Sequence, residues 1–466
     1  MMNPELSHLL EKYNTAGPRY TSYPTAPVWQ DTYDAATHER VIKETNDLAQ
    51  PNPHPLSLYV HLPFCEHRCL FCGCNVVITK QRDQAEKYLG YLFREIETIA
   101  GWVDRKRPVV QFHWGGGTPT YLSEEQMERL FRFQTGLFRM DPDAEIGIEV
   151  DPRVTTHEQL NVLKELGFNR ISMGVQDSNP QVQDAIQRIQ PLEMTAATMA
   201  HCRQLGFTGL NIDLIYGLPY QTVDSFTQTV RDIIALNPDR LALYNYAHVP
   251  WLSPHQNQIP EAALPETGVK FQILQTALEL FTEAGYLYIG MDHFAKPHDE
   301  LSVAMQNGNL HRNFMGYTVE KGGHLHSDLY GFGVSAISGF QGQFAQNWRK
   351  LSQYYEALDA GKIPTMRGYL LSEEDRLRQQ VILNLLCQGR VDMPAIEQRF
   401  GIDFKTHFAD AVTQLEGMAA DQLIDIGDNH LTVTPLGRLF SRNLAMPFDA
   451  YLPQMRNDKP TFSRTV

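Results

Sequence analysis

The stretch 65-CEHRCLFCGC-74 holds four of the chain's six cysteines. Sulfur concentrated in this way has three ordinary explanations: a disulfide staple, a zinc site or an iron–sulfur cluster. The spacing is Cys65-x3-Cys69-x2-Cys72-x-Cys74. A zinc ribbon draws on two separated pairs of ligands, and neither a second CxxC nor a nearby HxxxH accompanies this run. A disulfide framework is out of place in a cytosolic chain of 466 residues. Three thiolates in one tight loop suit a cubane cluster, each on its own iron, with the fourth iron left open. Cys202 and Cys387 stand alone in helical-looking segments and read as buried small hydrophobes.

Outward from the cysteines, the chain alternates short apolar runs with amphipathic helical stretches. The runs are Leu56–Leu62, Val109–Trp114, Ile146–Val150, Ile171–Val175, Leu210–Tyr216 and Leu241–Tyr246. Segments such as DQAEKYLGYLFREIETIA and QPLEMTAATMAHCRQLGF lie between them. Repeated β–α units predict a parallel sheet with helices outside, either an open doubly wound sheet or a barrel. Polar residues gather just after the strands: the cysteines, then GGGTPT, EVDP, VQD, DLIYGLP and NYAHVP. Successive strand ends aimed at one site favour a barrel, here a partial (β/α)6 barrel of TIM type.

The flanks differ. Residues 1–50 contain 17-GPRYTSYPTAPVW-29, too rich in Pro, Tyr and Thr for a regular helix, and are expected to form an arm covering the active site. Residues 51–365 form the barrel with an extension. Residues 366–466 form a mostly helical domain, in which Ser372 and Asp375 make a capping-box signature. The later DQLIDIGDNHLTVTPLGRLFSRNLA reads as strand, turn, strand, helix, like the end of a winged helix.

Composition narrows the function. The formal net charge of -14 argues against nucleic acid as the main partner. Surface fields fade over about 8 Å at physiological salt, so the balance leaves room for a local basic pocket. No apolar run reaches the roughly 20 residues that span a bilayer, and the start MMNPELSHLLEKYN is no secretory signal. A cytoplasmic protein without a membrane partner is expected.

Cys-x3-Cys-x2-Cys after the first barrel strand, with Phe71 just before the third cysteine, resembles the radical S-adenosylmethionine signature. In 113-HWGGGTPTYL-122 three glycines let a backbone approach a ligand and are expected to offer it N–H groups. The likeness then sharpens. YNTAGPRYTSYPT, LSLYVHLPFC, CLFCGCN, NIDLIYGLP, LYNYAHVP, GMDHFAKPHDEL, HRNFMGYT, GVSAIS and the terminal FSRTV resemble the oxygen-independent coproporphyrinogen III oxidases. That resemblance covers essentially the whole chain.

The resemblance implies oxidative decarboxylation of two propionates of coproporphyrinogen III to the vinyl groups of protoporphyrinogen IX. A 5′-deoxyadenosyl radical would abstract hydrogen. It implies a [4Fe–4S] cluster on Cys65, Cys69 and Cys72, and two S-adenosylmethionine molecules. Tyr59 and Phe71 would flank these cofactors, and Gly116, Gly117 and Thr118 would meet their methionine ends. Glu149 would accept ribose hydroxyls, and Gln176, Arg188 and Asp213 would complete the two sites. Arg188 is a candidate for a bidentate grip on a methionine carboxylate. Ala247 and Ile337 would offer backbone or apolar contacts. Cys74 would serve catalysis without binding the cluster, and Arg19 would meet a substrate carboxylate, with His293, His311 and Arg312 as further candidates. A low-potential electron donor and a separate electron acceptor are required; a monomer is expected. Two other readings use the same barrel: a haem chaperone, and a radical methyltransferase or haem-opening enzyme. The CGC cysteine and the N-terminal arm weigh against both.

Overall fold

The computed structural model describes residues 4–49, 52–319, 327–455 and 462–465. The residue-50 boundary and Val466 of the terminal motif lie outside the described residues. The chain forms two compact units, Gln30–Pro265 with Lys321–Tyr369, and Met1–Trp29 with Glu266–Glu320 and Leu370–Val466. Each unit therefore draws on distant parts of the sequence, whereas the boundaries read from composition, at 50 and 365, cut the chain in order.

In the first unit, six strands follow one another as neighbours in a parallel sheet: β1 (Leu56–Leu62), β2 (Pro108–Gly116), β3 (Arg139–Val150), β4 (Arg170–Gln176), β5 (Gly209–Tyr216) and β6 (Arg240–Asn245). Helices α1 (Asp83–Ala100), α2 (Glu124–Leu137), α3 (His157–Glu165), α4 (Leu192–Gln204) and α5 (Val223–Leu236) connect them. On its other edge β1 pairs in parallel with Asp328–Phe332. That strand is followed by antiparallel partners Ile337–Phe340, Gln343–Asn347 and Thr365–Leu370. β1 and β6 do not pair, so the barrel is partial, as the alternation of runs predicts.

The strands alternate more strictly than the apolar runs imply. In LSLYVHL, Leu56, Leu58 and Val60 are fully buried against the helices, while Ser57, Tyr59 and His61 point the other way. Ile146, Ile148 and Val150 of β3 alternate with Glu145, Gly147 and Glu149, and Ile171, Met173 and Val175 of β4 with Arg170, Ser172, Gly174 and Gln176. The outer faces make the hydrophobic core with α1, whose Tyr88, Leu89, Leu92, Ile96 and Ile99 form one buried stripe. The inner faces carry a polar lattice. Arg170 pairs with Glu145 at 2.6 Å, and Asn211 donates to Ser172 and Asp213, both at 2.8 Å. Helices α2, α3 and α5 each start on reciprocal capping by Ser123, Thr156 and Thr222.

The second unit packs Leu377, Val381, Leu385, Leu415, Leu431, Phe440 and Phe448 into one core with Tyr13, Tyr20 and Tyr23. The Ser372–Asp375 box opens the helix Glu373–Leu383. Helices Met393–Phe400 and Ala409–Ala420 follow, then the hairpin Ile424–Ile426 with His430–Val433, to which Arg390–Asp392 adds a third strand. The expected strand, turn, strand order is present, and a short helix Ser441–Ala445 comes after it. No helix among the described residues is long and apolar enough to cross a membrane.

One buried acid anchors the extension to the barrel helices. Glu95 of α1 accepts hydrogen bonds from Tyr354 Oη and Asn347 Nδ2, both at 2.6 Å, and from the Gly333 N–H at 2.8 Å. Burial still pushes its carboxyl up to about 7. A carboxyl raised in the native state stabilises it fully below the unfolded value near 4.5, and that stabilisation is lost as pH rises through about 7. Glu95→Gln removes the titration. Relative to wild type, the variant should therefore gain thermal stability between pH 5 and pH 8; parallel melting curves against pH would refute this role.

Candidate active site

The strand ends surround a cavity of about 860 Å³. The loop after β1 contributes Cys65, Cys69, Phe71, Cys72 and Cys74 to its lining. The end of β2 brings Gly116, Gly117 and Thr118, β3 brings Glu149, β4 and the loop after it bring Gln176 and Arg188, and β5 brings Asp213. Twelve of the residues singled out in the sequence therefore meet at one place. Tyr59, Ala247 and Ile337 are not part of that lining. Tyr59 stacks on His113, its cross-strand partner in β2, at 6.2 Å and 10°, and bonds His61 Nδ1 at 3.1 Å. Ile337 is buried in its strand, and the Ala247 carbonyl accepts from Gln256 Nε2 at 3.3 Å. Arg19 belongs to the other unit, where its Nη2 donates to Asp292 at 2.6 Å.

All six cysteines are free thiols, which removes the disulfide reading. Cys202 and Cys387 are buried, as expected of small hydrophobes. Among the described residues no three His, Cys, Asp or Glu side chains converge on a single ion.

The electrostatics at the thiols are uneven. Arg153 Nη2 lies 3.5 Å from Cys69 Sγ and Arg188 Nη1 3.6 Å from it. Both guanidinium groups are held by Asp151 Oδ2, at 2.6 and 3.1 Å. Cys65, 3.4 Å from Thr118 Oγ1, is pushed up to about 11 by burial. The hydrogen bond from Cys74 brings Cys72 down to about 7, and the same bond holds Cys74 well above an ordinary thiol. The Cys74 N–H also points at Cys72 Sγ, 3.4 Å away. The loop thus distinguishes its fourth cysteine: Cys74 is exposed and retains its proton, as donor to Cys72.

Two expectations change. The N–H groups of the glycine loop are already taken: Gly116 donates to Glu149 Oε2 at 3.1 Å, Gly117 to the Leu62 carbonyl at 2.8 Å and Thr118 to the Phe64 carbonyl at 2.9 Å. The glycines serve close packing instead. A Cβ on Gly116, whose φ is +114°, would stand 2.7 Å from the His61 ring, and one on Gly117 would stand 2.7 Å from the Pro63 backbone. Arg188, likewise, does not hold out an open fork: it engages Asp151, Cys69 and the Gly174 carbonyl, the last at 2.6 Å.

The carboxyls of Glu149 and Asp213 are shifted in opposite directions. Burial opposes ionisation of Glu149, but His113 and the Gly116 N–H outweigh it and hold the carboxyl below its usual range. Asp213 is pushed up to about 6, chiefly by burial, although Asn211 and Ser172 bond it. Gln176 ends β4 with φ +71°, a left-handed turn that non-glycine residues seldom adopt outside constrained sites.

Sequence reasoning missed Asp151 and Arg153, although both stand in the quoted strand-end segment or next to it. It also missed a clamp on the cysteine loop. His255 Nε2 meets the Cys72 carbonyl at 2.7 Å, and buried Gln256 donates to the Phe71 carbonyl at 3.2 Å while accepting from the Val249 N–H at 2.6 Å. Single polar residues in a loop carry no periodic signal. Gln256→Ala releases the Phe71 carbonyl and leaves the Cys72 carbonyl to His255 alone. In reduced, metal-free protein, the 65–74 thiols should then alkylate several-fold faster while Cys202 and Cys387 stay protected; unchanged rates would show the clamp to be idle.

Two family models match the chain: "Radical SAM superfamily" over residues 59–233 and "HemN C-terminal domain" over residues 371–440. The oxygen-independent coproporphyrinogen III oxidase of Synechocystis sp. is 44% identical over 464 residues, which is 99% of this chain and 98% of that protein. The protein of the same name from Salmonella typhimurium is 46% identical over 458 residues, 98% of each. A solved structure described as coproporphyrinogen III oxidase (HemN) from Escherichia coli, a radical SAM enzyme, superposes with a TM-score of 0.88 at 44% identity, covering 95% of this chain and 98% of that one. Such end-to-end agreement in sequence and fold makes the chain a member of the oxygen-independent coproporphyrinogen III oxidase family, radical enzymes that work with a [4Fe–4S] cluster and S-adenosylmethionine.

Proposed function

We propose that this chain oxidatively decarboxylates two propionates of coproporphyrinogen III to the vinyl groups of protoporphyrinogen IX, without molecular oxygen, in tetrapyrrole synthesis. One observation carries the reading: the cysteine loop, the glycine loop and the strand-end carboxylates line a single cavity. The relatives' shared name supplies the substrate.

The propionate carbon that loses hydrogen is not acidic, so no side-chain base can activate it near pH 7. When bound, the cluster and S-adenosylmethionine supply an electron and a hydrogen-abstracting 5′-deoxyadenosyl radical. The chain supplies placement and charge. Cys65, Cys69 and Cys72 hold the cluster as thiolates, and Arg153 and Arg188 offset negative charge at Cys69. Gly116, Gly117 and Thr118 would meet the methionine ends of two S-adenosylmethionine molecules, with Tyr59 and Phe71 flanking them. Glu149 would accept ribose hydroxyls, Gln176, Arg188 and Asp213 would complete the two sites, and Ala247 and Ile337 would give outer contacts. Each conversion takes a hydrogen atom and one further electron from the propionate as carbon dioxide leaves. A low-potential electron donor and a separate acceptor therefore act with the chain. Gln30–Pro265 with Lys321–Tyr369 carry this chemistry, Arg19 adds positive charge for a substrate carboxylate, and the unit that holds residues 370–466 is accessory. The enzyme works as a cytoplasmic monomer.

Anaerobic reconstitution followed by mass spectrometry of the tetrapyrrole tests the reading. Loss of two carbon dioxide molecules is expected; stoichiometric haem binding without product, or methyl transfer, would replace it with the chaperone or methyltransferase reading. Cys74→Ser should leave iron content intact and lower turnover at least tenfold. Loss of the cluster in that variant would make Cys74 a ligand and overturn its separate role.

A further inference from the structure

The second unit contains a cationic cluster that the chemistry above does not use. Its strands Leu287–Gly290 and His293–Ala295 meet at a turn where three successive residues have positive φ: Gly290 at 127°, Met291 at 43° and Asp292 at 79°. Backbone held this way in Met and Asp is costly and needs firm surroundings. The turn delivers the Asp292 carboxylate to Arg19. Beside it runs the hairpin Leu310–Asn313 with Gly316–Val319, in which Arg312 and Tyr317 are direct cross-strand partners.

Arg312 lies over the Tyr317 ring, 5.0 Å from its centroid. The ring is fixed on several sides. It meets His293 edge-on at 5.5 Å and 88°, and its hydroxyl donates to the Leu386 carbonyl at 3.3 Å. A Cβ at Gly290 would stand 2.8 Å from that hydroxyl, so the turn glycine makes room for it. The aromatic platform supports the guanidinium face and leaves its edge for in-plane acceptors. Yet Nε and Nη1 of Arg312 are sealed from water and have no hydrogen-bond partner. No carboxylate among the described residues closes an ion pair with it. Arginine cannot relieve this by losing a proton. His293 does not share the charge: burial, reinforced by Arg312, holds it down at about 4. Asp292 is taken by Arg19, and its carboxylate does not pair with Arg312.

We propose that Arg312, braced by Tyr317, is the receptor for a carboxylate, and that its ligand is a propionate of the tetrapyrrole substrate. The choice of ligand rests on the function proposed above; the receptor itself rests on the unmet donors. Arg19, already paired, adds field and not the primary contact. The residue as a whole is partly exposed and Nη2 is not among its sealed nitrogens, so an arriving carboxylate meets the guanidinium there first.

The test is titration of the reconstituted enzyme with coproporphyrin III, a non-reacting probe with the same four carboxylates, against its tetramethyl ester. Losing a hydrogen bond to a charged group is worth roughly tenfold to a hundredfold in affinity. Arg312→Gln should weaken coproporphyrin III binding by about that factor and leave ester binding and substrate-independent cleavage of S-adenosylmethionine unchanged. Arg312→Lys should recover part of the affinity, because charge returns without the fork. Should the Gln variant fail to fold, the Lys variant decides: affinity equal to wild type overturns the proposal. Equal losses for acid and ester, or none for either, also overturn it. A wild-type enzyme that binds coproporphyrin III through Arg312 but forms no vinyl product would sink the proposed reaction and leave the receptor standing.

Discussion

Two guanidinium groups and one carboxylate meet beside the sulfur of Cys69. Thiols gathered in a half-buried loop can take on negative charge where water is scarce, and desolvation there is costly unless positive groups stand close. Arg153 and Arg188 meet that need, but free guanidinium groups in such a place would carry their own penalty. Asp151 settles both at once. It sits immediately after β3, so its position depends on the strand that also carries Glu149 into the cavity. The cysteine loop follows β1, Arg188 comes after β4, and only a sheet with these strands in neighbouring order brings the three together. The barrel is thus as much a device for charge placement as a hydrophobic core.

The same logic runs along each strand. Alternation sends one face to the helices and the other into the barrel, and the inner face here is polar nearly throughout. Buried polar groups are tolerable when they bond one another, and the lattice from Ser57 through Gln111, Glu145, Arg170, Asn211, Ser172 and Asp213 does so. Substrate chemistry at the strand ends rests on this floor. Overall charge is a poor guide to it: a chain at -14 concentrates its arginines where they act within a few ångströms, well inside the screening length.

Much of this was legible in the sequence. Runs such as LSLYVHL and NIDLIY disclosed the strands because a period of two survives in one dimension, and β1 coincides with the expected Leu56–Leu62. The cysteine run disclosed one loop, and all four of its cysteines line the cavity. What stayed hidden depends on direction and distance. Whether Gly117 donates its N–H to a ligand or to Leu62 is not encoded in the letter G. Arg188 looked like an open fork because its partner, Asp151, stands far off in the chain. Residues 266–319 read as barrel extension, since nothing in their composition shows that they fold with the C-terminal segment.

Arg188 and Arg312 show how differently one residue type can be held. At Arg188 the structure supplies a shared carboxylate, a carbonyl and a thiol, so both terminal nitrogens are engaged within the fold although Nε is left without a partner. At Arg312 the structure supplies an aromatic face, which steadies a cation without satisfying its N–H groups. A matched arginine adds rigidity; an unmatched one stores affinity, because the first anion to arrive gains hydrogen bonds the protein never formed. Tetrapyrrole propionates are such anions, and the decarboxylation consumes two of the four. A receptor for one that is retained is not spent by the reaction.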